Sequence, residues 1–133
     1  MSQANLEVVR RSFDAFNARD VDQLVGLFDS DCEWLPFRAQ LEGSGIYRGH
    51  EGVRRFVRDM DEDWEAYRIE PLEFHEHGER IAVTGRVRAR GRGGSVDIDL
   101  LAGFAFEVRS GRVRRLTSHS NPAAALEDVG LAE

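Results

Sequence analysis

The chain has 133 residues, about the length of one domain, and its 41% hydrophobic and 32% charged residues exclude a long disordered chain. All 18 basic residues are arginine, which excludes mechanisms that need a lysine, such as Schiff-base chemistry. Because 24 acidic residues give a net charge of −6, a general affinity for nucleic acid is not expected.

The first part of the chain shows helical periodicity. Its apolar residues at helical spacing are Leu6, Val9, Phe13 and Phe16. This spacing predicts a helix that begins near Ser2 and has one apolar face. A short second helix is expected after Asp20, because Gln23 follows it in the arrangement of a capping box. Residues 31–37 then predict a strand that Pro36 closes.

An amphipathic helix and a run of strands follow. Apolar residues at helical spacing predict the helix, and they are Val53, Phe56, Val57, Met60 and Trp64. The period then changes to two, which predicts strands over residues 66–76, 80–90, 95–108 and 112–119. Pro71 favours an edge or bulged position in the first of these strands. Asn121-Pro122 predicts the start of a last helix, and Gly130 its end.

This order of elements predicts the fold class. Helices that precede a run of antiparallel hairpins are typical of α+β proteins, with helices on one face of a curved sheet. We expect a single domain over residues 1–133. The N-terminal residues lack the basic start and apolar run of a signal peptide, and no segment approaches the ~20 apolar residues of a membrane span. A cytoplasmic location without a membrane partner is therefore expected.

The turns predict how the strands pair. A loop centred on Arg92-Gly93 places Arg86 opposite Asp99 and Arg88 opposite Asp97. Both pairs have opposite charges, which favours this register.

The next turn, Ser110-Gly111, predicts which residues share a face of the sheet. It puts Leu116 and Ser118 on the same face as Arg86 and Asp99. The opposite face is far more apolar, with Ile81, Val83, Val87, Ile98, Leu100, Phe104 and Phe106. By pattern alone, the apolar face is buried and the charged face is solvated.

Several motifs carry a resemblance to a known family. They are residues 13–20 (FDAFNARD), 27–28 (LF), 32–34 (CEW), 47–53 (YRGHEGV), 111–115 (GRVRR) and 125–131 (ALEDVGL). In this order they resemble the SnoaL-like polyketide cyclase group, within the superfamily of nuclear transport factor two, ketosteroid isomerase and limonene epoxide hydrolase. The resemblance covers nearly the whole chain. It implies a cone-shaped α+β barrel, with helices packed on a curved, mainly antiparallel sheet, a deep pocket inside the cone and a homodimer.

The catalytic residues of ketosteroid isomerases have no counterpart here. Their base falls at Leu35, or at Phe37 without a gap, and neither side chain takes a proton. Their oxyanion tyrosine falls at Phe13, and their second pocket acid falls near Gly103.

The set of limonene epoxide hydrolase is also incomplete. Arg86 matches its arginine, but its two acids fall at Arg88 and Ser118. The match nevertheless implies that both arginines face the pocket, which leaves the apolar sheet face for dimerisation.

We therefore consider Glu33, Arg86 and Asp99 as candidate catalytic residues. Glu33 is either an exposed strand acid or a pocket base with a raised pKa. Asp99 forms a structural ion pair with Arg86 or orients a substrate, and Arg86 would stabilise developing negative charge. The candidate ligand-binding residues are Phe13, Trp34, Leu35, Tyr47, Phe56, Arg88, Leu101, Leu116 and Ser118. On this interpretation, replacing Arg86 with Met destabilises the chain and abolishes ligand binding.

Metal sites and nucleic-acid binding are not expected. The single cysteine, Cys32, excludes an internal disulfide and Cys-x-x-Cys sites, and His75 and His77 lack a third ligand in view. The arginine run 86–92 lacks interleaved aromatic residues, which argues against a nucleic-acid partner.

Two functions stay open at this point. The first is a cofactor-independent isomerase, cyclase, dehydratase or hydrolase that acts on a small apolar metabolite. The second is a non-catalytic ligand-binding or dimerisation module of the same fold. A buried carboxylate with a displaced pKa in the pocket would favour the enzyme.

Overall fold

The computed structural model describes residues 2–37, 45–94 and 96–131. The elements in these ranges are α1 Ser2–Ala18, α2 Val21–Gly26, β1 Phe28–Leu35, β2 Tyr47–Arg48, α3 Gly49–Asp63, β3 Trp64–His77, β4 Arg80–Gly91, β5 Asp97–Arg109, β6 Arg112–His119 and α4 Pro122–Asp128. The strands form one curved sheet in the order β2-β1-β6-β5-β4-β3. Every neighbouring pair is antiparallel except β1 and β6. This confirms the predicted α+β fold, although the sheet is open and does not close into a barrel.

The predicted helix ends are confirmed by their capping contacts. The Asp20 carboxylate accepts a hydrogen bond from the Gln23 backbone N–H at 3.3 Å and caps α2. The Asn121 side chain accepts one from the Ala124 N–H at 2.9 Å and caps α4. After α4, Gly130 has φ of +88°, a conformation that glycine adopts without strain.

The strands are longer than predicted at two places. β1 begins at Phe28 rather than at residue 31, because Phe28 pairs with Val113 of β6. β3 begins at Trp64, so the last apolar residue of the predicted helix belongs to a strand. Pro71 lies in the edge strand, next to a register shift, and both expectations for it are confirmed.

The predicted register of β4 and β5 is wrong by two residues. Asp99 lies opposite Arg88 rather than Arg86, and Arg86 lies opposite Leu101. The loop is centred one position later than expected, on Gly93-Gly94, where both residues have positive φ values of 87° and 70°. Because side chains alternate with a period of two, this shift leaves each residue on its predicted face.

The predicted register of β5 and β6 is wrong by one residue beyond a bulge. Val108 pairs with Val113 as the turn predicts, but the register then shifts at Glu107. Leu116 therefore lies opposite Phe106, and Ser118 lies opposite Phe104. A shift of one residue exchanges the faces, so Leu116 and Ser118 lie on the apolar face.

The apolar face of the sheet is covered by the protein's own helices. Phe13 of α1 contacts Phe104 and Phe106 of β5, with ring centroids 5.6 Å and 5.5 Å apart. Phe56 of α3 stacks on Trp34 of β1 at 4.0 Å. We call this the inner face. The prediction that it is the dimer interface is wrong for Phe104 and Phe106, because these contacts bury them within one chain; Leu100, farther along this face, is 46% exposed.

The opposite, outer face is partly covered by α4. Ala82 and Ala105 of the sheet pack against Ala125 and Val129. A Cβ added at Gly103 would lie 2.7 Å from the Ala125 Cβ, so this close approach requires glycine.

The edge strand β3 is tied to α1 by one side chain. The Asn17 amide donates to the Ile69 carbonyl at 2.7 Å, and its oxygen accepts from the Ile69 N–H at 3.0 Å. The side chain thus satisfies two backbone groups of an edge strand, as a neighbouring strand would. In the described ranges, no helix is both long and apolar enough to cross a membrane.

Candidate functional site

A narrow cavity lies between α1, α3 and the inner face of the sheet. Its wall is formed by Ser12, Phe13, Phe16, Leu24, Phe28, Trp34, Phe56, Tyr67, Ile69, Phe104, Phe106, Leu116 and Ser118. Its volume is about 40 Å³. Since one water molecule needs about 10–15 Å³ of such space, the cavity has room for a few water molecules at most.

Stacked aromatic rings form one side of the cavity. The Trp34 ring lies between Phe56, at 4.0 Å and 24°, and Phe28, at 5.5 Å and 13°. Phe16 contacts Tyr67 edge to face at 6.1 Å. The wall therefore presents flat apolar surfaces, which suit a flat apolar molecule.

One buried donor in this wall lacks an acceptor. The Trp34 side chain is buried, and its indole N–H has no hydrogen-bond partner in the described part of the chain. Leaving a buried polar group unpaired costs about 1–3 kcal/mol. An acceptor atom on a bound molecule would remove this cost.

Two hydroxyl groups of the wall have defined states. Ser12 donates to the Val8 carbonyl at 2.9 Å within α1, so its proton is already used. Burial raises the pKa of the Tyr67 phenol, and the positive charge of Arg19 offsets part of this rise. Tyr67 therefore keeps its proton at neutral pH.

Glu33 lies outside the cavity. Its neighbour Trp34 points inward, and side chains alternate along β1, so Glu33 points to the outer face. Its carboxylate pairs with the Arg48 guanidinium at 2.8 Å, and Arg115 is its partner in the register on β6. This position is that of an exposed strand acid rather than that of a pocket base.

Arg86 and Asp99 also lie on the outer face. Two hydrogen bonds, at 2.8 Å and 2.9 Å, join the guanidinium to both carboxylate oxygens across a diagonal of the sheet. The hydrogen bond from Arg86 lowers the pKa of Asp99. The expectation that these residues line the pocket is wrong. Side chains alternate along β4, and the neighbouring Val87 points inward, so Arg86 points outward.

Four other predicted ligand-binding residues lie away from the cavity wall. Arg88 is exposed opposite Asp99, and Leu101 is 50% exposed. Leu35 lies opposite Thr117 on the outer side of β1. Tyr47 packs edge-on against Phe56 at 5.2 Å and donates its hydroxyl proton to Asp59 at 2.6 Å, behind the wall.

The remaining predicted residues do meet at the cavity. They are Phe13, Trp34, Phe56, Leu116 and Ser118. Their part in ligand binding stays a prediction. Leu116 and Ser118 reach the wall because of the bulge in β6, and not through the register from which they were predicted.

Sequence reasoning missed several residues of the wall. The sequence pattern places Phe104 and Phe106 on a buried face, but predicts that this face is a dimer contact. Tyr67 and Ile69 alternate on the inner side of β3, where their period-two spacing is the signal that identifies them.

The histidine pair of the β3–β4 turn has local partners. The His75 Nε2 lies 3.3 Å from a Glu73 carboxylate oxygen, and the His77 Nδ1 lies 2.5 Å from the Val129 carbonyl. Within the described ranges, no three His, Cys, Asp or Glu side chains are placed to hold a metal ion together.

The chain is similar to a known family and to several solved structures. A family model described as a SnoaL-like domain matches residues 9–116. The fold is similar to an NTF2-like protein of unknown function from Burkholderia pseudomallei K96243, with 27% identity, coverage of 96% of this chain and 98% of that chain, and a TM-score of 0.79. A comparison with curated proteins finds no match.

Two further solved structures share the fold and contain small molecules. TerC, co-crystallised with polyporic acid, is 24% identical, with coverage of 95% of this chain and 98% of that chain and a TM-score of 0.79. A protein with a ketosteroid isomerase-like fold from Catenulispora acidiphila DSM 44928, in complex with trimethylamine, is 14% identical, with coverage of 94% and 93% and a TM-score of 0.76. Since the family model spans most of the sequence, the chain belongs to the SnoaL-like domain family.

Proposed function

We propose that the protein binds a small, flat, mainly apolar molecule with a hydrogen-bond acceptor in its inner cavity. The observation that carries this proposal is the unpaired Trp34 indole N–H in a wall of stacked aromatic rings. The rings favour an apolar face, and the indole favours an acceptor such as a carbonyl oxygen. This is the usual composition of a small-molecule site, with few polar groups in an apolar pocket.

The cavity volume restricts the ligand and requires movement. Ligand pockets commonly have ~300–1,000 Å³, whereas this cavity has about 40 Å³. A ligand therefore enters by separating side chains of the wall. Small ligands with one or two fused rings need the least separation.

The composition of the wall favours binding over acid–base catalysis. Among the described residues that line the cavity, Tyr67 is the one titratable side chain, and burial keeps its phenol protonated. A general base must lie within hydrogen-bond reach of the proton it removes. Glu33 and Asp99 lie on the outer face, so we favour the ligand-binding function over a cofactor-independent cyclase or isomerase.

The similarity to ligand complexes supports small-molecule binding by this fold. The solved structures of TerC and of the Catenulispora acidiphila protein hold polyporic acid and trimethylamine, respectively. These ligands belong to those proteins. For this chain, they support small-molecule binding and leave the identity of the molecule to experiment.

A fluorescence titration tests the proposal. In a Trp64→Phe variant, Trp34 is the remaining tryptophan, and its emission reports on the cavity. We expect 1-indanone to change this emission and to bind more tightly than indane, which has the same rings without the carbonyl. Equal affinity for the two compounds contradicts the role of the indole donor, and unchanged emission with both contradicts binding in the cavity. The Trp34→Phe variant, which retains Trp64, is the matched control.

We also infer a homodimer through the part of the outer face that α4 leaves uncovered. Leu101, Arg86 and Glu70 lie side by side there on three strands. The apolar Leu101 lies beside the oppositely charged Arg86 and Glu70, an arrangement that a second copy related by a two-fold axis can complement. Sedimentation at micromolar concentration should show a dimer that Leu101→Glu dissociates. A monomeric wild-type protein would contradict this inference.

A further inference from the structure

A second, polar pocket lies on the outer face of the sheet, beside the end of α4. Its volume is about 160 Å³. Residues of three strands and of α4 line it, including Arg80, Glu107, Arg115, Thr117, Asp128 and Val129. It is separated from the inner cavity by the sheet itself, so its function is independent of the one proposed above.

The strand register brings two arginines to this pocket. Arg80 on β4 and Arg115 on β6 both lie opposite Glu107 of the intervening strand. Because neighbouring strands are ~4.8 Å apart, the two Cα atoms are ~10 Å apart. Two long guanidinium side chains at this separation can converge on one small group between them.

The acidic residues of the pocket already have partners. The Glu107 carboxylate lies 3.5 Å from the Arg109 guanidinium. The Asp128 carboxylate lies 2.8 Å from the His119 Nε2. Both carboxylates thus have partners other than Arg80 and Arg115, the two arginines that line the pocket.

The two arginines, by contrast, have unused N–H donors. Arg80 donates to the Asp128 backbone carbonyl at 3.4 Å, a long hydrogen bond to an uncharged group. Arg115 forms no ion pair with any residue in the described ranges. A guanidinium carries five N–H donors, so most of the donor capacity at this pocket is unused.

The hydroxyl group of Thr117 adds a third donor. Thr117 is 7% exposed and lines the pocket, two residues beyond Arg115 on the same face. No described residue forms a hydrogen bond with its hydroxyl. This hydroxyl can therefore donate to an acceptor in the pocket.

We propose that this outer pocket binds a small oxyanion, a carboxylate or phosphate group, through Arg115, Arg80 and Thr117. The unused groups are all donors, and two of them carry positive charge, which is the complement of an oxyanion. The volume suits such a group rather than a molecule with several rings. The protein's net charge of −6 opposes binding at long range, so the local contacts must supply the affinity.

Amide NMR titrations of the full chain test the proposal. Inorganic phosphate and acetate are added in separate titrations, against sodium chloride at the same ionic strength. We expect one or both oxyanions to shift the amide signals of Arg115, Thr117 and Val129 in a saturable manner, while chloride does not. The comparison of phosphate with acetate identifies which oxyanion the pocket prefers. If sodium chloride shifts these amide signals as much as the oxyanions do, the proposal is overturned.

Matched variants locate the site. Arg115→Gln and Thr117→Val each remove one donor group, and Arg112→Gln removes the same charge from β6 outside the pocket. We expect Arg115→Gln to weaken oxyanion binding by about tenfold, the loss of one charge-assisted hydrogen bond, and Thr117→Val to weaken it while the melting temperature is kept. Arg112→Gln should change the affinity less than twofold, about the effect of one distant screened charge.

Two outcomes of the variants would overturn the proposal. Equal effects of Arg115→Gln and Arg112→Gln would show general electrostatic attraction without a site. Sedimentation tests whether a second copy of the chain, rather than an oxyanion, occupies this pocket. If Arg115→Gln dissociates a dimer and the wild-type protein shows no saturable oxyanion shifts, the pocket is a subunit contact.

Discussion

The ion pair between Arg86 and Asp99 has good geometry and little shielding from water. Its two hydrogen bonds measure 2.8 Å and 2.9 Å, while the side chains are 41% and 53% exposed. Water screens such a pair, and holding two flexible side chains in one geometry costs entropy. The pair therefore orders two strands locally without stabilising the whole fold strongly.

Replacing Arg86 with Met should leave the melting temperature at pH 7 almost unchanged. This reverses the expectation from the sequence, because Asp99 remains solvated when its partner is removed. Arg86 lowers the pKa of Asp99, so the contribution of the pair is present above the ordinary carboxyl pKa of ~3.9 and is lost as the pH falls through the lowered native pKa.

Thermal melts of the wild-type protein and of Arg86→Met between pH 7 and pH 2 check this prediction. Any small difference at pH 7 should vanish at the acidic end. As a control, Arg90→Gln, which removes the exposed pair with Asp97, should also leave the melting temperature at pH 7 almost unchanged. A large loss at pH 7 would show that Arg86 is buried.

The helix α4 depends on a glycine in the neighbouring strand. A Cβ at Gly103 would lie 2.6 Å from the Asn121 carbonyl oxygen and 2.7 Å from the Ala125 Cβ. Neither the backbone atom nor the short alanine side chain can turn aside. A larger residue at this position must push α4 away from the outer face.

Gly103→Ala should therefore destabilise the protein by about 1–3 kcal/mol, the usual cost of overpacking. Gly26→Ala is the control, because a Cβ at Gly26 meets nothing within 4 Å. That control should be neutral or stabilising by up to about 1 kcal/mol. Urea unfolding of the three proteins measures the difference, and equal midpoints for Gly103→Ala and the wild type would refute the tight contact.

The elements were predicted well where apolar spacing is regular. The apolar face of α3, with Val53, Phe56 and Val57, is buried as its period indicates. The strand register failed at two local features that spacing does not show. One is the loop with successive positive φ values at Gly93 and Gly94. The other is the extra residue in β6, where Arg114 has no opposite partner in the register.

At the scale of the whole molecule, the pattern of the sheet predicted which residues of β4 and β5 share a face, although the bulge moves Leu116 and Ser118 of β6 to the other face. It also predicted correctly that the charged face is solvated and that most of the apolar face is buried, with Leu100 as an exposed exception. The resemblance reversed this assignment by matching Arg86 to a pocket arginine, and the structure shows the opposite side. A match of positions does not fix the side of a strand, because a slip of one residue exchanges the two faces.

The burial of Cys32 provides a probe of global opening. Its side chain is 1% exposed, and burial raises the pKa of its thiol to about 11. At pH 8, about a thousandth of such thiols is ionised, and the thiolate is the reactive form. We expect very slow labelling by iodoacetamide in native buffer and fast labelling in 6 M urea.

The labelling rate at intermediate urea should follow the fraction of unfolded protein, measured by circular dichroism. Fast labelling without denaturant would show that β1 opens locally. Gly103→Ala, which weakens the docking of α4, should label faster than Gly26→Ala at the same urea concentration.

The central claim is that the inner cavity, and not the Arg86–Asp99 pair on the outer face, binds the flat apolar ligand. Calorimetric titration of 1-indanone into the Trp34→Phe and Arg86→Met variants tests it most directly. We predict that Trp34→Phe weakens binding by about tenfold, since one buried hydrogen bond is worth ~1.4 kcal/mol, and that Arg86→Met binds as the wild-type protein does. Loss of binding in Arg86→Met together with unchanged binding in Trp34→Phe would contradict the claim.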